Sequence, residues 1–229
     1  MTERNFTIYD LNYRNGWILS SFKDKDDMFY YPLLQFGRTN FVDPWQDPDF
    51  HHHTVSLELY LLVEGELWHV VNNIPIRMKE CSLLLVMPGV SHSTVGGRGK
   101  IHYYGLKIPH SNDKKIKDEN PKNLEELKEK ISRIKEIKHF DSTIGFYIDF
   151  NQKENQNRWI LGFEKALFET YELSLAYMNF QTEEDFQSIK HPNELHSHTK
   201  STEWYLTIEG KQKLLVDYQE ISVNEGNFL

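Results

Sequence analysis

One pattern of fifteen residues occurs twice in this chain, and it constrains the fold more than any other feature. Residues 51–65 match residues 196–210 at a constant offset of 145, without a gap, and nine of the fifteen positions are identical. The shared positions include two histidines, a glutamate and a glycine, namely His51 and His196, His53 and His198, Glu58 and Glu203, and Gly65 and Gly210. Duplication of one structural unit is the simplest explanation. We therefore expect two copies of one fold in a single chain.

The spacing inside this repeat is typical of strands that carry a metal site. Residues two apart on a strand point to the same face, so His51 and His53 direct both imidazoles to one side. Glu58 opens the next strand, where its carboxylate closes a two-histidine, one-carboxylate face for a divalent metal. His52 lies between two inward residues and is expected to face outward. In the second copy, the same face is formed by His196, His198 and Glu203.

Short segments rich in aromatic and branched residues, separated by Gly, Pro, Asn or charged turns, run along both halves of the chain. Strands are predicted at residues 17–22, 57–63, 67–71, 83–87, 102–108, 143–150, 173–180, 203–208 and 213–217. This pattern of short strands separated by turns is typical of an antiparallel barrel or sandwich.

One amphipathic helix is predicted over residues 121–138, between the two sets of strands. Its apolar residues are spaced three and four apart and are Leu124, Leu127, Ile131 and Ile134. Asn123 is a suitable N-terminal cap. We expect the helix to pack on a barrel flank rather than to form a dimerising coiled coil, because the repeat spans barely two heptads. A second short helix is expected over residues 160–172.

A third histidine completes the candidate ligand set of the first copy. Residues 87–92 read Met-Pro-Gly-Val-Ser-His, so His92 follows a turn at the end of an apolar strand. Three imidazoles and one carboxylate leave one or two positions open on Fe(II), Mn(II), Ni(II) or Zn(II). Tyr60 and Tyr205 share strand parity with the glutamates and are candidates for lining a ligand pocket, although inward aromatic residues are more often core. His69, His102 and the remaining histidines are given no role.

These motifs resemble the two signature motifs of the cupin superfamily. The residues that carry the resemblance are His51, His53, Glu58 and Gly65 in the first motif, and Pro88, Gly89 and His92 in the second. The second motif departs from the usual pattern, since Pro88 and Gly89 are adjacent and Gly96 stands where asparagine is common. That variant, like residues 101–108, is similar to the sugar-sensing domains of AraC-type regulators. The resemblance covers residues 25–110 and 143–229, and it implies an all-β fold, the double-stranded β-helix or jelly-roll barrel, in two tandem copies.

On this resemblance the chain is a bicupin with three parts. An N-terminal cupin barrel is expected at residues 1–112, a helical linker at 113–142 and a C-terminal cupin barrel at 143–229. The second barrel is expected to be truncated, because the counterpart of His92 falls eight residues beyond Leu229. We favour a fragment of a longer protein over a barrel without that nitrogen, since ending inside a strand leaves a sheet edge open.

The resemblance implies a metal-dependent function, although a fold alone does not select an activity. The first hypothesis is an enzyme of the oxygenase, isomerase or decarboxylase type that acts on a small oxygenated or carbohydrate-like substrate. The alternative is a sugar-type sensor or binding protein related to AraC-type ligand-binding domains. A storage-type bicupin without turnover is the third hypothesis. All three leave the identity of the metal, among Fe, Mn, Ni and Zn, open.

The charge and composition of the chain argue against some classes of binding partner. Lys and Arg total 26 against 34 Asp and Glu, which gives a formal net charge of −8, and no basic stretch suggests a nucleic-acid surface. The start of the chain lacks the pattern of a secretory signal, no apolar segment reaches the length of a membrane span, and the single Cys81 excludes an internal disulfide. We therefore expect a cytoplasmic protein with a small-molecule ligand and without a nucleic-acid or membrane partner. A homodimer is expected by analogy with cupins that pair through exposed sheet edges.

Overall fold

The structure is a computed structural model of the 229-residue chain. It describes residues 8–11, 15–20, 29–31, 33–42, 49–109, 111–117, 123–135, 137, 142–162, 166–169, 173–180, 197, 199 and 201–229. The chain forms two compact units, a larger one of Asn15–Asn179 and a smaller one of Met1–Arg14 with Phe180–Leu229. Within the described residues, none of the helices has the length and apolar character that a membrane crossing requires.

The described residues are mostly strands. In chain order, the elements are β1 (Tyr9–Asp10), β2 (Gly16–Ser20), β3 (Phe29–Tyr30), β4 (Gln35–Val42), β5 (His51–His53), β6 (Leu57–Val71), β7 (Ile74–Met78), β8 (Ser82–Val86), β9 (His92–Ile108), β10 (Lys114–Ile116), α1 (Leu124–Ser132), β11 (Gly145–Asp149), a 3-10 helix (Lys153–Asn155), β12 (Arg158–Gly162), β13 (Phe168–Glu169), β14 (Leu175–Tyr177), β15 (Lys211–Val216), β16 (Gln219–Asn224) and β17 (Asn227–Phe228).

A ten-stranded, almost wholly antiparallel sheet builds the larger unit. Its order is β11-β8-β6-β9-β4-β2-β3, with β7 beside β6, β5 beside β9 and β10 beside β5. The long strands β6 and β9 pair with each other twice: the first half of β6 lies beside the second half of β9, and the second half of β6 beside the first half of β9. The predicted strands 57–63 and 67–71 are therefore one strand, which is bent where its register with β9 shifts.

The bend in β6 closes the sheet into a barrel. Gly65 has a φ of 84°, and a Cβ at this position would collide with the carbonyl oxygen of Lys100, so only glycine fits the bend. Inward side chains from before and after it, such as Leu62 and Leu67, pack in one core. Two facing layers built from the same long strands define a double-stranded β-helix, so the predicted all-β fold is confirmed.

Helix α1 packs on the outside of this barrel. Its buried residue Ile131 lies in an apolar cluster with Phe50, Val70 and Val95. This confirms the predicted position on a barrel flank. The start of the helix differs in detail, because the Asn123 side chain donates a hydrogen bond to the Glu126 carboxylate instead of capping a backbone N–H.

The segment after the helix belongs to the larger unit. Strand β11 pairs with β8 along its whole length and extends the large sheet. The helix predicted over residues 160–172 is wrong: Arg158–Gly162 and Phe168–Glu169 are strands that pair in parallel. Ile160 and Leu161 are both buried against Ile148 and Phe150, so this apolar run packs as a strand across a sheet rather than as one face of a helix. The domain boundaries at 112 and 142 stay predictions, and residues 143–179 share a unit with the first barrel.

The smaller unit contains four strands among its described residues. β1 pairs with β17, and β15 forms an antiparallel hairpin with β16. The hairpin turn uses Asp217 and Tyr218, whose positive φ values of 48° and 62° match the twist of the flanking strands. The predicted strand at 203–208 is an extended segment in which Tyr205 and Leu229 exchange two backbone hydrogen bonds of 3.0 Å.

Candidate metal centre

Four residues that the sequence selects lie together in the barrel of the larger unit. His51 and His53 occupy β5, Glu58 is near the start of β6, and His92 begins β9. The pairing of β5 with β9 sets His51 opposite His92. Each of the four side chains offers a ligand atom, and these atoms lie within 4.8 Å of one another. The cluster is largely withdrawn from water, since the histidines are 1–5% exposed and the Glu58 side chain 14%.

One carboxylate oxygen is the centre of this cluster. Glu58 Oε2 lies 2.8 Å from His92 Nε2, 3.2 Å from His53 Nε2 and 3.9 Å from His51 Nε2. All three imidazoles therefore turn the same ring nitrogen toward the same point. This convergence is the geometry that a divalent metal ion requires of its ligands.

The other ring nitrogen of each histidine is held by an acceptor. The Nδ1 atoms of His51 and His92 lie 2.9 Å from the backbone oxygens of Asp49 and Val90. His53 Nδ1 lies 3.0 Å from Asp113 Oδ1. Carbonyl and carboxylate oxygens only accept hydrogen bonds, so each Nδ1 carries a proton, and in its neutral form each ring presents a lone pair at Nε2. Three lone pairs and a carboxylate thus face one point, and only a positive charge, a metal ion or a proton, satisfies all four.

The charge state of Glu58 agrees with this arrangement. Burial alone would raise the pKa of its carboxyl group, but hydrogen bonds donated by the three imidazoles, with protons at Nε2 in place of a metal ion, outweigh burial and hold the pKa well below its ordinary value. The group is therefore an anion at neutral pH, as a metal ligand must be.

Asp113, which the sequence analysis did not select, supports the cluster from behind. It lies just before β10, is 7% exposed, and accepts hydrogen bonds from Val55 N (2.9 Å), Ser56 N (2.8 Å) and Ser56 Oγ (3.0 Å), besides that of His53. Burial opposes its ionisation, yet these donors together lower the pKa of Asp113 far below the ordinary value. A carboxylate behind a metal-binding imidazole fixes its tautomer and orientation. Asp113 therefore acts as a positioning residue for His53.

Tyr60 and His69 lie beside the cluster, inside the barrel. Tyr60 is 7% exposed, and its ring centroid is 4.5 Å from that of His69 and 6.4 Å from that of His92. Burial, and to a smaller degree the nearby His92, lower the pKa of His69 to about 3, so its ring is neutral at pH 7. The pocket-lining role of Tyr60 stays a prediction; the structure places Tyr60 in the barrel core.

The second copy of the motif is described only in part. His196 and His198 lie outside the described residues, so the predicted second metal face stays a prediction. Glu203 is exposed, unlike Glu58. Burial and the Glu203 carboxylate raise the pKa of Tyr205 to about 12, so the tyrosine hydroxyl keeps its proton beside that carboxylate.

No protein-family model matches this chain, and no curated protein matches it in sequence. Among solved structures, a variant of Pac13 from Streptomyces, solved with uridine, matches with a TM-score of 0.35 and 16% identity over 39% of this chain and 71% of that chain. A cupin protein from Bacteroides fragilis matches with a TM-score of 0.31 and 12% identity over 35% of this chain and 69% of that chain. Salicylate 1,2-dioxygenase from Pseudaminobacter salicylatoxidans matches with a TM-score of 0.33 and 23% identity over 40% of this chain and 28% of that chain.

Proposed function

We propose that this chain binds a divalent transition metal through His51, His53, Glu58 and His92, and that it is an enzyme acting on a small oxygenated or carbohydrate-like molecule at that metal. One observation carries the proposal: three imidazole Nε2 atoms converge on a single, largely buried carboxylate oxygen. Such a cluster is electrostatically unfavourable without a cation, because the like-signed lone pairs and carboxylate are removed from water.

The donor set fits a first-row metal. Three imidazoles and one carboxylate suit Fe(II), Mn(II), Ni(II) and Zn(II), and the sequence does not choose among them. When bound, such an ion polarises an oxygen atom of the ligand and holds it in place. The chain's own residues keep the site ready for the ion: Glu58 stays ionised, and backbone and Asp113 acceptors fix all three rings.

Metal content tests the proposal, with a matched histidine as the control. The parent, His53→Ala and His52→Ala are purified under metal-replete conditions, and transition metals are counted per chain by elemental analysis. His52 shares the strand with His53 but lies outside the cluster. The first barrel should hold about one ion in the parent and in His52→Ala, and none in His53→Ala. A parent without metal, or a His53→Ala variant that keeps its metal while folded, contradicts the proposal.

Turnover separates an enzyme from a sugar-type binding protein. The metal-loaded parent is offered panels of small oxygenated acids and sugars, and both product formation and binding are followed. Turnover that disappears in Glu58→Gln supports the enzyme. Binding without turnover across the panels supports the sensor or binding protein instead.

The bicupin arrangement and the homodimer are further parts of the proposal. A second metal face formed by His196, His198 and Glu203 rests on the repeat in the sequence. It requires a second ion per chain that His198→Ala removes and His53→Ala leaves in place. A homodimer joined through a sheet edge is tested by light scattering of the purified chain.

A further inference from the structure

A buried nitrogen beside the metal cluster lacks a hydrogen-bond partner. Among the residues that the structure describes, the buried side-chain atoms without a partner are His69 Nε2 and Ser111 Oγ. His69 is 0% exposed. A polar atom that is removed from water without a partner costs free energy, so a partner that the fold itself does not supply is expected to bind there.

The strand register sets His69 in the layer next to the metal cluster. His69 on β6 lies opposite Thr94 on β9, and Thr94 is two residues beyond His92, so Thr94 and His92 share a face. Tyr60 is likewise two residues beyond Glu58 on β6. The rings of Tyr60 and His69, which come from the two halves of β6, have centroids 4.5 Å apart. The buried His69 side chain therefore lies in the layer next to the candidate ligands.

The hydrogen-bonding capacity of His69 Nε2 follows from the charge of the ring. Burial lowers the pKa of His69 to about 3, so the ring is neutral at pH 7 and carries one proton. His69 Nδ1 lies 3.4 Å from Thr94 Oγ1, a hydroxyl that donates to Nδ1 in one tautomer and accepts from it in the other. A ligand hydroxyl satisfies Nε2 in both tautomers, because a hydroxyl group both donates and accepts hydrogen bonds.

The net charge of the metal-loaded cluster determines which ligand group is favoured at the metal. A divalent cation with the single anionic ligand Glu58 and three neutral imidazoles keeps one positive charge. An anionic oxygen is therefore favoured at its open position. A small molecule that reaches both points needs a carboxylate at the metal and a hydroxyl directed into the barrel.

Resting on the metal site proposed above, we propose that His69 is a specificity residue: its Nε2 forms a hydrogen bond with the hydroxyl group of a small hydroxy acid whose carboxylate binds the metal. The structural alternative is an ordered water on Nε2 that no ligand displaces.

Paired probes that differ by one hydroxyl test this inference. Cobalt(II) is loaded into the parent, and its visible absorption is titrated with propionate against 3-hydroxypropionate and with butyrate against 4-hydroxybutyrate. At one of the two lengths the hydroxy acid should bind about five- to tenfold more tightly than its unsubstituted partner, the usual effect of one hydrogen bond. His69→Leu should abolish this preference, and His69→Gln, which keeps a group able to accept or donate a hydrogen bond, should retain part of it.

Controls keep the outcomes distinct. His102→Gln replaces a partly buried histidine that belongs neither to the metal cluster nor to the layer of Tyr60 and His69. It should leave the preference for the hydroxy acid unchanged. If the parent binds no cobalt, the metal site fails and this inference with it. If cobalt binds but the parent shows no preference at either length, or His69→Leu keeps it, only the role of His69 is overturned. Should His69→Leu not fold, the ¹⁵N resonance of His69 Nε2 in zinc-loaded parent decides, because it should shift with the hydroxy acid and not with its partner.

Discussion

At the scale of single residues, the contribution of Asp113 to metal affinity can be measured without removing a candidate ligand. It binds the Nδ1 proton of His53 without approaching the metal position itself. Asp113→Ala should lower metal affinity about 10- to 100-fold, because His53 loses the acceptor that fixes its tautomer. Competition with a chromogenic chelator measures the change. Asp149→Ala, which removes a carboxylate that accepts a hydrogen bond from Asn151, is the control and should leave the metal affinity unchanged. An unchanged metal affinity in Asp113→Ala would mean that the His53 ring needs no support from Asp113.

His102 gives the fold a pH dependence away from the metal. Arg38 Nε donates to His102 Nε2 at 2.8 Å, and burial together with the Arg38 charge lowers the pKa of His102 to about 4. The unfolded chain binds a proton at this histidine below a pH of about 6.5, and the folded chain does so only near its lowered pKa. Folding stability from this group is therefore present above pH 6.5 and is lost as the pH falls toward 4.

The variant His102→Gln, which keeps an acceptor for Arg38, should reduce that pH dependence. Between pH 7 and 5, the parent should lose about 1 kcal/mol more of its free energy of unfolding than the variant, after allowance for the partial exposure of the ring. Urea unfolding at each pH measures this difference. Equal losses in both proteins would show that His102 is not held neutral by the fold.

The sequence predicts the residues of the site that share a strand pattern. His51, His53 and Glu58 follow from parity and spacing, and His92 from the turn before it. Asp113 and His69 could not be predicted, because their positions depend on the register between distant strands. Asp113 meets His53 from 60 residues away. His69 has no local pattern that distinguishes it from an ordinary core histidine.

Among the elements, helix α1 is held to the barrel by an arginine in addition to its apolar contacts. Arg77 on β7 forms an ion pair with Glu66 through Nη2 and Nε, and its Nη1 donates to the carbonyl oxygens of Ser132 and Ile134 at the end of the helix, at 3.0 and 3.2 Å. The Glu66 contact raises the pKa of the guanidinium group, so its charge is permanent. These carbonyls have no partner inside the helix, and a cation is favourable at a helix C-terminus.

Arg77→Ala should loosen α1 without unfolding the barrel. We expect a loss of about 1–3 kcal/mol in the local stability of the helix, seen as faster amide hydrogen exchange in α1. Arg133→Ala is the matched control, because its ion pair with Glu129 is exposed and should contribute less than about 1 kcal/mol. If both variants exchange alike, the docking of α1 depends on Ile131 and its apolar neighbours alone.

Secondary-structure elements can be predicted from the sequence where the apolar residues follow a single periodicity. The helix follows from apolar spacing of three and four, and most strands from short branched and aromatic runs. The helix predicted over residues 160–172 is wrong because a continuous apolar run such as Trp159 to Leu161 has no period that separates helix from strand. Its burial against Phe150, a tertiary contact, decides in favour of a strand.

At the scale of the whole molecule, the repeat predicts two copies of a fold, and the larger unit contains one of them with additional strands. β11 pairs with β8 and covers what would otherwise be an open edge of the sheet. The sequence did not reveal this, because the strand lies after the helix and resembles the start of a second barrel. The smaller unit combines β1 with strands from the other end of the chain, a pairing that no local pattern signals.

The central claim is that a metal ion sits where the three Nε2 atoms and the Glu58 carboxylate converge. A crystal structure of the zinc-loaded chain, with anomalous scattering collected at the zinc edge, tests it most directly. The account predicts one strong anomalous peak in the first barrel, at about 2.0–2.2 Å from the Nε2 atoms of His51, His53 and His92 and from a Glu58 oxygen. Zinc bound elsewhere, or a cluster without a peak while the imidazoles keep their hydrogen bonds, would contradict it.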